Sequence, residues 1–157
     1  MEEEQLRKHL LELLSGRGAH ADWKVSFRGI PSKLRGIRPS GFPHSLWELL
    51  EHMRIAQWDI LEFSRDAEHV SPEWPAGYWP ESPEPANAAA WDKSLKSFES
   101  DLEAMKKLVA NRKTDLFAKI PHGSGQTILH EALLVADHNS YHLGQFVTVR
   151  KLLGNWK

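Results

Sequence analysis

The chain has 157 residues, 41% apolar and 26% charged, with 20 Lys and Arg against 21 Asp and Glu. This predicts one folded domain over residues 1–157, and it excludes wholesale disorder and the strongly basic balance of a dedicated nucleic-acid binder. The absence of Cys excludes a disulfide framework, a Cys nucleophile, an iron–sulfur cluster and a Cys-based zinc site.

The sequence starts Met1-Glu2-Glu3-Glu4, acidic where a signal peptide needs a basic region. No apolar run approaches the roughly 18 residues of a membrane span. The expectation is a soluble cytoplasmic protein without a membrane partner. Leu6, Leu10, Leu13 and Leu14 lie on one face and predict an amphipathic helix over Glu2–Ser15, ended by Gly16 and Gly18. Asp22–Ile30 reads as a short helix stopped at Pro31, and Gly36, Pro39, Gly41 and Pro43 punctuate an irregular connection.

Ser45 and Glu48 form a Ser-x-x-Glu capping box that opens a helix running to about Arg65. Its apolar face carries Leu46, Leu49, Leu50, Met53, Ala56, Ile60 and Phe63. From Asp66 to Pro85 five prolines forbid a helix, yet Trp74, Tyr78 and Trp79 are too apolar for a free linker, so the segment reads as an ordered loop. Trp91, Leu95, Phe98, Leu102, Met105 and Leu108 mark a helix from about Asn87 to Asn111. The last helix runs from an N-cap at Thr127 to about Leu153, with Gly154 behind it. No stretch alternates with a period of two. An all-α four-helix bundle is the simplest way to bury the four stripes, and the two long connections leave room for crossovers.

With 9 His and no thiol, a transition-metal site in this chain must come from His with Asp or Glu. His138 and His142 stand four residues apart on one helix face, where two imidazoles reach one ion. Glu131 and Gln145 fall within roughly 60° of them around the helix axis. A third ligand must come from a facing helix. His52 is the first candidate and His9 its rival; His20, His44, His69 and His122 lie in loops or at helix ends, and His130 falls off the line. Glu131 and Gln145 also suit hydrogen-bonding roles that orient imidazoles. Glu131 and Asp59 are the candidate acids for moving protons, and the sequence names neither as catalytic. Two charged stretches, the basic one from Lys24 to Arg38 and the acidic one from Asp59 to Glu84, read first as solvated surface.

His52 in Leu49-Leu50-Glu51-His52, together with His138-x-x-x-His142 followed by Gly144-Gln145, resembles the DinB-like superfamily across nearly the whole chain. The resemblance implies an up-down-down-up four-helix bundle with a metal on His52, His138 and His142, and it disfavours His9. It also implies relatives among metal-dependent thiol transferases that use bacillithiol or mycothiol, and among proteins described as metal-dependent hydrolases. A divalent ion such as Ni, Zn or Fe on three imidazoles would activate water or a low-molecular-weight thiol toward a small-molecule substrate. The alternative is a non-catalytic metal- or ligand-binding or stress-response protein. Apolar residues, 7 Trp among them, exceed what four short stripes need, and the resemblance adds the expectation of a homodimer.

Overall fold

The computed structural model describes residues 2–16 and 18–156. It contains α1 (Glu2–Leu14), α2 (Trp23–Phe27), α3 (Leu46–Arg65), α4 (Ala88–Ala110) and α5 (Ile128–Leu152). Two 3-10 turns, Ser32–Leu34 and Ala76–Tyr78, interrupt the connections. Among the described residues there is no β-strand, only one antiparallel bridge between Lys119 and Thr127.

The starts of α2 to α5 have chemical causes. At α3 the Ser45 hydroxyl accepts from the Glu48 amide while the Glu48 carboxylate accepts from the Ser45 amide, which satisfies two orphan donors at once. Asp22, Asn87 and Thr127 cap α2, α4 and α5 with side-chain oxygens. α2 is shorter than the sequence suggests. It ends at Phe27 because Arg28 is already extended and Gly29 takes a positive φ of 71°.

Helix directions follow from the side chains that meet. Arg7 of α1 donates to the carbonyls of Val109, Asn111 and Thr114, at and just beyond the C-terminal end of α4, and Glu4 pairs with Arg112. The start of α1 therefore sits beside the end of α4, and the buried guanidinium satisfies carbonyls that α4 leaves without partners. Trp47, Glu51 and Gln57 of α3 meet Trp91, Ser94 and Phe98 of α4 in that order, so these two helices are parallel. His52 meets His142 while Gln57 meets Asn139, so α5 runs against α3. The bundle is up-down-down-up.

α3 and α1 each pack against both α4 and α5. The core between them holds Leu49, Leu50, Met53 and Leu61 of α3, Trp91, Phe98, Leu102 and Met105 of α4, and Ala132, Val135, Phe146 and Val149 of α5. Phe27 of α2 adds edge-to-face contacts to Phe98 and Phe146, with ring centroids 5.4 and 4.9 Å apart.

The parallel pair has a topological consequence. After Arg65 the chain must return the full length of α3, a 20-residue helix about 30 Å long, before α4 can begin. Residues 66–87 make that return as a strap laid along α3. Its contacts descend the helix in reverse order: His69 and Tyr78 on Asp59, Trp79 on His52, and the Pro83 carbonyl on Ser45. Gly77 permits the strap to fold on itself, because a Cβ there would stand 2.8 Å from Pro72 Cβ.

Candidate metal centre

His52 projects from the second turn of α3, and His138 and His142 from successive turns in the middle of α5. Because α3 and α5 are antiparallel neighbours, the three rings meet between them. His52 Nε2 lies 3.1 Å from His142 Nε2 and 3.2 Å from His138 Nε2. One nitrogen from each ring falls within 4.8 Å of the others, a donor set of the kind that holds a metal ion.

The protons on two of these rings, His52 and His142, are set by what lies behind them. His52 Nδ1 is 2.9 Å from the Tyr78 carbonyl, which can only accept, so Nδ1 carries the hydrogen and Nε2 a bare lone pair. His142 Nδ1 likewise donates to Gln145 Oε1 at 2.8 Å, and Gln145 Nε2 donates to the Tyr141 hydroxyl. Two lone pairs thus face each other at 3.1 Å. If His138 donates from Nε2 into His52, the clash with His142 remains. His138 Nδ1 is buried and has no hydrogen-bond partner among the described residues. A cation among the three Nε2 atoms removes the conflict. Bonds of about 2.0–2.1 Å in a tetrahedral arrangement separate nitrogens by about 3.3–3.4 Å, close to the spacings found.

The rings are held neutral. Burial pushes the His138 pKa down to about 3, and the neighbouring imidazoles add to that. Burial and His52 lower His142 to about 4, against the opposing hydrogen bond to Gln145. His52 is lowered as well, first by burial. Neutral imidazole is the ligating form. Trp79 stacks on His52 with centroids 4.0 Å apart and planes 2° from parallel, and His44 stacks on the other face of Trp79 at 4.1 Å.

The other candidates go elsewhere. His9 is on the exposed side of α1, paired with Glu12 at 3.3 Å. Glu131 is buried but accepts from His130 Nδ1 at 2.9 Å. It shares the angular line of His138, yet stands seven residues away, about 10 Å along the helix. Asp59 accepts from the Tyr78 hydroxyl at 2.5 Å and pairs with His69 at 2.7 Å. His20 and His122 contact the carbonyls of Ala21 and Phe63. Gln145 is the one polar neighbour on the α5 line that touches the triad. The strap residues Tyr78 and Trp79 are the site members that helical periodicity does not reveal. The sign available was three aromatics among prolines in a segment that had to return along α3.

No curated protein and no solved structure matches the chain. A family model described as the DinB superfamily matches residues 5–146. With that match over most of its length, an up-down-down-up bundle and a His cluster between α3 and α5, the chain belongs to the DinB superfamily.

Proposed function

We propose that the whole chain acts as one metalloprotein domain in which His52, His138 and His142 hold a divalent ion through their Nε2 atoms. The observation that carries this reading is the convergence of three imidazole nitrogens, with His52 Nε2 3.1 Å from His142 Nε2 and 3.2 Å from His138 Nε2, while the Nδ1 atoms of His52 and His142 are turned to the Tyr78 carbonyl and Gln145 Oε1. Ni, Zn and Fe all suit three imidazoles. Such an ion, when bound, acidifies a coordinated water or thiol and polarises an electrophile. The chain's own part is to hold the three rings neutral, to fix two of them as Nδ1–H tautomers, and to cover His52 with Trp79 so that water reaches it from fewer directions. The reading is a hydrolase or a thiol S-transferase acting on a small electrophile; since the chain has no Cys, a thiol would be the second substrate.

A second reading is a metal-holding protein without turnover. Among the described residues, no carboxylate hydrogen-bonds the three imidazoles: Glu131 is engaged by His130, and Asp59 by Tyr78 and His69. Metal analysis of protein purified without chelator, on wild type, His52→Ala and His138→Ala, tests the site. Metal content unchanged in both variants refutes it. A panel of esters and of electrophiles with low-molecular-weight thiols then separates the two readings, since metal without turnover favours the second. Leu133, Leu134 and Tyr141 are exposed on α5 and support the homodimer. Sedimentation showing only monomer in concentrated solution refutes that part.

A further inference from the structure

Asp59 stands seven residues after His52 on α3, two turns along the same side of the helix. Both of its carboxylate oxygens are engaged by the strap: Oδ1 by His69 Nε2 at 2.7 Å and Oδ2 by the Tyr78 hydroxyl at 2.5 Å. One side chain thus gathers the beginning and the middle of a segment whose one regular element is the short 3-10 turn Ala76–Tyr78. Charge-assisted hydrogen bonds from two donors are the strong kind. Burial and the Asp59 carboxylate raise the Tyr78 pKa to about 12, so the phenol stays a donor. Tyr78 then spans the two turns with its own length. Its hydroxyl is fixed on Asp59, and its backbone carbonyl accepts from His52 Nδ1 at 2.9 Å. The next residue, Trp79, is thereby laid flat on the His52 ring.

We infer that Asp59 is a positioning residue: acting through Tyr78, it sets the strap carbonyl that holds His52 as the Nδ1–H tautomer and presents its Nε2 to His138 and His142. The assignment replaces the proton-transfer role that its residue type suggests, because both oxygens are bonded to the strap and neither is bonded to the three imidazoles. The α5 half of the cluster needs no such device, since Gln145 fixes His142 from the same helix. Its importance for ligation rests on the metal reading above, but the tautomer itself exists without metal and is measured without it.

The test uses the full-length, metal-free protein with 15N-labelled histidine at neutral pH. Long-range 1H–15N correlations report which ring nitrogen of each His carries the proton. Wild type should show His52 and His142 as Nδ1–H. In Asp59→Ala, and equally in Tyr78→Phe, His52 should become a mixture of both tautomers while His142 stays unchanged. Asp59→Asn keeps an oxygen acceptor for Tyr78 and should restore the wild-type signal. A purely stabilising role would lower the melting temperature without moving these signals. His52 locked as Nδ1–H in either folded variant overturns the inference; if Asp59→Ala does not fold, Tyr78→Phe decides. Co2+ titration supplies the second readout: affinity should fall on the order of 10- to 100-fold in Tyr78→Phe, with a changed visible spectrum. If wild type takes up no Co2+, the metal reading falls, and the tautomer signals still decide the role of Asp59.

Discussion

The two halves of the imidazole cluster are built in different ways. On α5, His138, His142 and Gln145 lie within eight residues, and helix geometry alone brings them together. On α3, His52 is oriented by Tyr78 and Trp79, 26 and 27 residues away in sequence, and those are held in turn by Asp59. A helical half needs only correct spacing. A half built from helix and strap needs a long loop to settle in one conformation, so the α3 side should be the more easily disturbed.

The largest effects should come from the proposed ligands. His52→Ala and His142→Ala should each abolish stoichiometric metal uptake, read by elemental analysis, and equal losses would show that neither half holds an ion alone. Next comes the strap. Trp79→Ala removes the ring stacked on His52 and should cost about 2 kcal/mol of stability, roughly half the cost for a fully buried Trp, and it should weaken Co2+ binding by on the order of 100-fold. Gln145→Ala touches only the helical half and should weaken Co2+ binding by about 10-fold. If the two substitutions have equal effects, the contrast between the halves fails.

The metal-free protein should also respond to pH. His138 and His142 titrate near 3 and 4 in the fold and His52 is lowered too, against about 6.5 in an unfolded chain. Between these limits the unfolded chain binds more protons. The metal-free protein should therefore be fully stable with respect to these groups above pH 6.5 and lose stability as pH falls from there toward 3. His138→Ala should flatten that dependence in melting curves more than Gln145→Ala does.

Much of this was legible in the sequence, because helices advertise themselves locally. The Ser45–Glu48 box located the start of α3, Thr127 that of α5, and the Trp91–Phe98–Leu102–Met105 row the buried face of α4. The spacing of His138 and His142, and the face shared by His52, were visible for the same reason. What stayed hidden depends on contacts without a period. The prolines of residues 66–87 announced a break, but nothing local says that Trp79 lies on His52. Glu131 shows a different limit. Its angle around the helix matched His138, while the rise along the axis carried it to His130 instead.

The same-direction run of α3 and α4 gives the strap a status unlike that of an ordinary loop. The bundle cannot be threaded without a return segment about as long as α3, so its length is imposed by topology while its residues are left comparatively free. Val70 and Trp74, for example, are largely exposed. The strap is thus an exchangeable insert bolted to the scaffold at Asp59 and Ser45. Randomising residues 70–76 while keeping Gly77 and those fastenings would vary the outer strap and leave the helical core intact, which makes this segment a natural place to engineer the surface beside the imidazole cluster.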